Sequence, residues 1–236
     1  MTMHRFFLPL LLLFVTLFPA CDVNASSPRR QAKPVVSILG DSYSTFEGHI
    51  PAGYDCWYNT NPDPKRTDVD NVRQTWWWQV IDRGGYILGC NNSWSGSTIS
   101  YTGYRGDDYS DRSFITRLDK LGSPDILLIF GATNDCWAKV PLGEYTYSGL
   151  TRGHYYELRP ALGILLREAT ERFPGTDIYF IANSDLTESV NDAIRTVCDH
   201  YSVPVIWLHD IDKKASHPSR TGMTAIADQV LQVLNK

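Results

Sequence analysis

The stretch of sequence that decides the fold is PVVSILGDSYSTFEGH, residues 34–49. Its apolar part, residues 35–39, stops at Gly40, and a carboxylate and a hydroxyl follow at once as Asp41 and Ser42. A short, continuous apolar run is typical of a parallel strand that is buried on both faces. Glycine permits a sharp turn where such a strand ends. We therefore predict a buried strand that presents Asp41 and Ser42 at one edge of a sheet.

Four more apolar runs follow along the chain, and helical patterns lie between them. The runs cover residues 86–88, 126–130, 178–182 and 205–208. Apolar residues repeat at three- and four-residue spacing in residues 158–169, 190–201 and 223–234, as they do on one face of a helix. Strands that alternate with helices predict an α/β domain with a parallel sheet.

Length and charge limit the classes of function. The chain has 236 residues, of which 43% are hydrophobic, and its formal net charge is −4. No basic stripe is visible, which argues against nucleic acid as a partner. The sequence predicts no metal ion or other cofactor, since it lacks a Cys-x-x-Cys pair and an EF-hand loop. We predict one domain, over residues 34–236.

Residues 1–25 have the features of a leader for export followed by a short linker. Arg5 precedes an almost wholly apolar stretch, residues 6–18, which is short for a transmembrane span. Two cleavage positions remain open: before Cys21, which would then be lipidated, or after Ala25. We expect a protein that is periplasmic, secreted or an outer-membrane lipoprotein, with membrane attachment only through a lipidated Cys21.

Three further segments place polar residues near predicted strand ends or before the last helix. SWSGST contains Gly96, IFGATNDCW contains Asn134, and ASHPSRTGMTAIADQV contains His217. Serine, glycine, asparagine and histidine in this chain order resemble the SGNH hydrolase superfamily, the GDSL-type esterases and acylhydrolases of exported bacterial type. The resemblance extends from residue 35 to the C-terminus. It implies a three-layer α/β/α sandwich with a five-stranded parallel sheet, a flavodoxin-like arrangement.

The resemblance also implies a role for each of these residues. Ser42 would be the nucleophile, and His217 would take its proton and return it to the leaving alcohol. The backbone N–H groups of Ser42 and Gly96 and the side-chain amide of Asn134 would form the oxyanion hole. Acyl transfer needs these parts: an activated hydroxyl, a base with a pKa near neutrality, and donors for the developing negative charge.

The sequence leaves open which group orients the histidine. The family usually carries an aspartate three residues before the histidine, where this chain has Lys214. Asp212, five residues before His217, is our prediction for that role, and a backbone carbonyl is the alternative. His209, which directly follows the fifth apolar run, is a rival base.

Aromatic residues near the predicted site indicate the substrate. Tyr43 and Trp57 follow Ser42 in the chain, Trp94 precedes Gly96, and Trp137 follows Asn134. Bulky groups of this kind would close a long acyl channel and offer faces for sugar rings. We predict a serine esterase for short acyl esters, acetyl above all, on a glycan or small molecule. A lipase or thioesterase, and a non-catalytic carbohydrate-binding module, are the alternatives.

The cysteines allow a disulfide prediction. Cys56 and Cys136 both follow site segments, and an exported protein meets oxidising conditions. We predict a bridge between them, while Cys90 and Cys198 are predicted to be free thiols. Four unconnected thiols are the alternative.

Overall fold

The computed structural model describes residues 32–235. The predicted leader over residues 1–25, with Cys21, lies outside the described residues, as does Lys236 at the end of the predicted domain. Within residues 32–235, no helix is both long and apolar enough to cross a membrane.

A five-stranded, all-parallel sheet forms the centre of the described chain, which confirms the predicted α/β fold. The strands are β1 (Val35–Gly40), β2 (Ile87–Ser93), β3 (Ile126–Gly131), β4 (Asp177–Ala182) and β5 (Val205–Trp207). Their order in the sheet is β2-β1-β3-β4-β5, the flavodoxin-like order. Each strand contains or overlaps one of the predicted apolar runs.

Helices cover both faces of this sheet, because the apolar side chains of β1, β3 and β4 alternate between two cores. The helices are α1 (Trp76–Gly84), α2 (Phe114–Arg117), α3 (Thr133–Ala138), α4 (Leu158–Arg172), α5 (Glu188–His200) and α6 (Arg220–Leu234). In β1, Ile38 belongs to the core with α1 and α6, while Leu39 belongs to the core with α2, α4 and α5. The result is the expected three-layer sandwich.

β2 is longer than its apolar run, because polar residues continue it. Asn91, Asn92 and Ser93 are buried at its carboxyl end. The amide of Asn91 donates to Ser44 O at 2.9 Å, and Ser93 Oγ donates to Asn91 Oδ1 at 2.6 Å. These hydrogen bonds satisfy buried polar groups at the end of β2, and they connect β2 to the segment after β1.

The order in which strands are added to the sheet changes side at β1: β2 lies on one side of β1, and β3 lies on the other. In open parallel sheets, ligands bind at the carboxyl ends of the strands at such a switch point. The segments that follow β1, β2 and β3 contain Ser42, Gly96 and Asn134 respectively. The topology therefore brings the three predicted site segments to one edge of the sheet.

Candidate active site

The end of β1 explains why Gly40 precedes the Asp41-Ser42 pair. A Cβ atom on Gly40 would lie 2.6 Å from Ser93 Oγ and 2.7 Å from Ser44 Cβ. Gly40 is therefore required by close packing, whereas we expected it to serve a sharp turn. Asp41 caps the short 3₁₀ helix Ser42–Ser44, with its Oδ1 accepting from Tyr43 N at 3.0 Å. Ser42 begins this helix and is 3% exposed.

His217 is positioned by a tight β-hairpin. Lys213–Lys214 (β6) pairs antiparallel with His217–Pro218 (β7). The two residues between them, Ala215 and Ser216, have φ of 45° and 63°, as in a type I′ turn. Such turns usually contain Asn-Gly, so no residue pattern in the sequence predicted this hairpin. The turn directs the Ala215 carbonyl to His217 Nδ1, at 3.0 Å.

Ser42 and His217 form a hydrogen-bonded pair. The distance from Ser42 Oγ to His217 Nε2 is 2.9 Å. Because the Ala215 carbonyl can only accept, Nδ1 carries the ring proton and Nε2 is free to accept from the serine hydroxyl. Burial, with smaller contributions from the cations Arg66 and Lys213, lowers the pKa of His217 to about 4. The imidazole is therefore neutral at pH 7 and can act as a base.

The structure does not support Asp212 as the group that orients His217. The carboxylate of Asp212 accepts a hydrogen bond from Ser219 Oγ instead, and Ser219 caps the N-terminus of α6. The predicted aspartate partner is therefore wrong, and the backbone alternative describes the structure. Lys214, at the usual aspartate position, pairs with His217 across the hairpin. The rival base His209 is exposed and contacts Asp210.

Aromatic side chains hold the histidine where a carboxylate is missing. The Trp57 ring stacks on the His217 ring, with centroids 3.5 Å apart and planes 6° apart. Tyr43 Oη donates to Ser216 O at 2.6 Å, and Tyr58 Oη donates to Pro218 O at 2.9 Å. These contacts fix the backbone on both sides of His217. The sequence indicated the aromatic residues but not this role.

The expected oxyanion donors are arranged on the neighbouring segments. Gly96 has φ of 81°, and a Cβ built on it would meet nothing within 4 Å, so glycine is required by its backbone conformation. Within residues 32–235, neither the Gly96 N–H nor the Ser42 N–H donates to a backbone acceptor. Both are therefore available to a ligand oxygen.

Asn134 is held in one orientation. Its Oδ1 accepts from Tyr104 Oη at 2.7 Å, and its Nδ2 donates to Ser97 O at 2.9 Å. The second N–H of the amide remains for another acceptor. Tyr104 was missed by sequence reasoning, because nothing in its surroundings in the chain distinguishes it from an exposed loop residue.

Asp135 anchors the loop that carries Gly96. Its carboxylate accepts from Ile99 N at 2.8 Å, from Ser100 N at 3.2 Å and from Ser100 Oγ at 3.1 Å. Burial raises the pKa of Asp135 to about 6. Asp135 thereby fixes the segment that follows β2.

The predicted disulfide is absent, since Cys56 and Cys136 are both free thiols. Cys56 Sγ contacts the carbonyl of Tyr58, 3.1 Å away, and Cys136 Sγ lies 3.9 Å from Thr187 Oγ1. The two sulfur atoms thus contact different parts of the chain, although the neighbouring Trp57 and Trp137 both lie against His217. Cys90 and the buried Cys198 are also free, as predicted.

The surroundings of the Ser42–His217 pair are aromatic. Trp137 is 37% exposed, and its ring centroid lies 6.3 Å from Tyr43 and 5.9 Å from His217. Five surface cavities have volumes between about 200 and 630 Å³, and neither residue of the pair lines any of them. Within residues 32–235, no group of three or more His, Cys, Asp or Glu side chains is arranged to hold a metal ion.

A parallel sheet with a serine after β1 and a histidine before the last helix is the arrangement of SGNH-type hydrolases. The family model of the GDSL-like lipases/acylhydrolases matches residues 34–234. This chain therefore belongs to the GDSL-like lipase/acylhydrolase family, and the resemblance to the SGNH superfamily is confirmed. Hydrolysis of esters is the activity that this family implies.

Solved structures agree with this assignment. A GDSL-like lipase from Bacteroides ovatus is 52% identical with a TM-score of 0.85, and the match covers 87% of this chain and 99% of that one. A GDSL-like lipase from Bacteroides uniformis is 50% identical with a TM-score of 0.84, covering 87% and 97%. A family two carbohydrate esterase from Clostridium thermocellum, solved with cellohexaose, shares the fold at 14% identity and a TM-score of 0.56, covering 86% and 63%. Among curated proteins, none matches this chain.

The backbone partner of His217 leads to a prediction for Asp212. Loss of a true triad aspartate costs about 10⁴-fold in kcat, because the histidine tautomer is then wrong. Here the Ala215 carbonyl sets the tautomer, so we expect Asp212→Asn to reduce kcat for p-nitrophenyl acetate by less than about tenfold. Asp210→Asn, at an exposed residue, is the matched control. A loss above about a thousandfold in kcat of Asp212→Asn would show that Asp212 orients His217 after all, as the third member of a triad.

Proposed function

We propose that this protein is an exported serine esterase that removes short acyl groups, acetyl above all, from carbohydrates. The observation that carries the proposal is the 2.9 Å hydrogen bond between Ser42 Oγ and His217 Nε2. Export is proposed from the apolar stretch at residues 6–18.

In the proposed reaction, His217 Nε2 takes the proton of Ser42 while Ser42 Oγ attacks the ester carbonyl carbon. The N–H groups of Ser42 and Gly96 and the amide of Asn134 stabilise the tetrahedral oxyanion. The intermediate collapses to an acyl–serine as His217 returns the proton to the departing alcohol. Water, deprotonated by His217, then attacks the acyl carbon and releases the carboxylic acid and free Ser42.

The aromatic surroundings support a short acyl group and a carbohydrate alcohol. Tyr43 is fully buried and lies against the His217 ring, with centroids 5.2 Å apart. Trp94 is held aside, because it stacks on Tyr54 at 3.9 Å and donates to Asp55. The bulky Tyr43 side chain beside His217 is expected to limit the room for an acyl tail, while the exposed face of Trp137 suits a sugar ring.

A series of p-nitrophenyl esters from acetate to decanoate tests the acyl preference. Each buried methylene would add about 0.8 kcal/mol of binding free energy. We expect the bulky Tyr43 side chain to leave no room in which such methylenes could be buried. We expect kcat/KM to be highest for acetate and to fall by about tenfold or more at octanoate, since a tail that cannot be buried gains nothing and clashes.

The alcohol preference is tested in the same assay. We expect acetylated oligosaccharides to be cleaved faster than triglycerides, with Ser42→Ala as the background control. A monotonic rise of kcat/KM from acetate to decanoate would contradict the proposal and favour a lipase. Absence of turnover on every ester, with no labelling by a fluorophosphonate, would favour a binding module.

A further inference from the structure

Arg117 is a charged residue in an unusual position. Its side chain is fully buried, and within residues 32–235 it has no carboxylate partner within 4 Å. Arginine is almost never fully buried unless it is paired. Burial lowers the pKa of Arg117 to about 9, so the guanidinium remains charged at neutral pH. An unpaired buried cation needs an explanation.

The hydrogen bonds of the Arg117 guanidinium explain its buried position, because all of them go to backbone or hydroxyl oxygens around the site. Nη2 donates to Gly40 O at 3.1 Å and to Ser97 Oγ at 2.9 Å. Nη1 donates to Asn92 O, and Nε donates to Arg112 O at 2.8 Å. One planar group thereby joins the end of β1, the end of β2 and the loop that follows β2.

These acceptors are next to the proposed oxyanion donors. Gly40 is two residues before Ser42. Ser97 directly follows Gly96, and its carbonyl accepts from Asn134 Nδ2 at 2.9 Å. The guanidinium therefore contacts the segments that carry two of the three donors, and its acceptor Ser97 binds the third donor, Asn134.

The charge of Arg117 matters as well as its shape. Burial raises the pKa of Asp41 to about 7, and the Arg117 charge acts against that rise. An ionised Asp41 beside Ser42 would disfavour the oxyanion, and a buried cation offsets that effect. In a site with little water, such a charge acts more strongly than it would at a surface.

We infer that Arg117 is a positioning residue for the oxyanion hole: it fixes the strand ends that carry the donors, and its positive charge favours the anionic transition state. This inference rests on the proposed function. It predicts that loss of Arg117 lowers kcat and leaves KM nearly unchanged, because donor spacing matters only once the oxyanion forms.

The test compares the wild type with Arg117→Lys and Arg117→Met, both of similar length. Lysine keeps the positive charge but lacks the planar guanidinium with its several N–H donors, and methionine lacks both the charge and the donors. The matched control is Arg83→Met, which removes an arginine from an exposed pair with Asp228. We measure kcat and KM for p-nitrophenyl acetate and the affinity for phenylboronic acid, whose boron accepts the Ser42 oxygen and becomes a tetrahedral anion.

We expect kcat to fall about 10- to 100-fold in both variants, more in Arg117→Met than in Arg117→Lys. The affinity for phenylboronic acid should fall in parallel, with KM within about threefold of wild type. Arg83→Met should match the wild type. Wild-type kcat in folded Arg117→Met, or a loss that lies wholly in KM, would overturn the inference.

Two further measurements keep the inference testable. If Arg117→Met does not fold, Ser97→Ala removes one acceptor and leaves Arg117 in place; a loss of kcat supports the inference, and wild-type kcat overturns it. Hydrogen exchange over residues 94–100 needs no activity, and we expect it to rise in Arg117→Lys; unchanged exchange overturns the inference. Failure of the proposed function is recognised separately, by wild-type protein that hydrolyses no ester.

Discussion

Replacement of Ser42 by alanine is expected to reduce kcat for p-nitrophenyl acetate on the order of 10³-fold or more. The serine hydroxyl is the attacking group in the proposed reaction, and alanine offers no oxygen that could replace it. Since only a hydroxyl is removed from a side chain that is 3% exposed, the fold should persist. Thermal unfolding of the variant, followed by circular dichroism, checks this.

His217→Ala should cause a loss of similar size, because the hydroxyl is a weak nucleophile without its base. The Ser42→Ala, His217→Ala double variant should be no slower than either single variant, since the two residues act as a unit. His209→Ala is the matched control, because His209 is exposed and contacts only Asp210 among charged partners. Additive losses, or wild-type turnover in folded Ser42→Ala, would show that another group attacks the ester.

Much of the fold could be predicted because its strands are buried on both faces. A strand of this kind is mostly apolar rather than alternating, so residues 35–39, with Ser37 as their one polar residue, and residues 126–130 stand out in the sequence. The location of the site followed from the same patterns, because residues after neighbouring parallel strands meet at one edge. Ser42, Gly96 and Asn134 are at that edge in the structure, and their catalytic roles stay predictions.

The parts that the sequence did not predict depend on contacts between distant segments. The orienting partner of His217 is a backbone carbonyl, which no side-chain pattern reveals, and the Ala215-Ser216 turn lacks the usual Asn-Gly signal. Asp212 was nearby in the chain and attractive on family grounds, yet the helix cap at Ser219 takes its carboxylate. No pattern in the sequence marks Arg117 as buried, because arginine is mostly exposed in proteins.

After the Ser42 and His217 variants, Asn134→Ala is expected to show the largest loss, about 10²- to 10³-fold in kcat. The amide of Asn134 is fixed before any substrate arrives, since Tyr104 Oη holds its oxygen and Ser97 O takes one of its N–H groups. A donor that is already oriented needs no reorganisation when negative charge develops on the carbonyl oxygen. The loss should therefore lie in kcat, with KM within about threefold of wild type.

The same hydrogen bonds mean that the variant also loses stability. Alanine leaves Tyr104 Oη and Ser97 O without their partner, at a cost of about 1–3 kcal/mol for each buried group left unsatisfied. Kinetics should therefore be measured well below the melting temperature of the variant. Tyr104→Phe is the matched control, because it removes one of the two bonds that orient the amide and keeps the amide itself.

We expect Tyr104→Phe to lose less than about tenfold in kcat, since the bond from Asn134 Nδ2 to Ser97 O still holds the side chain. Asn134→Asp should be at least as slow as Asn134→Ala, because it places an acceptor, and a charge when ionised, where a donor is needed. Wild-type kcat in Asn134→Ala would show that the Asn134 amide is not a donor of the oxyanion hole. A tenfold larger loss in Tyr104→Phe than in Asn134→Ala would instead show that the tyrosine hydroxyl contacts the substrate itself.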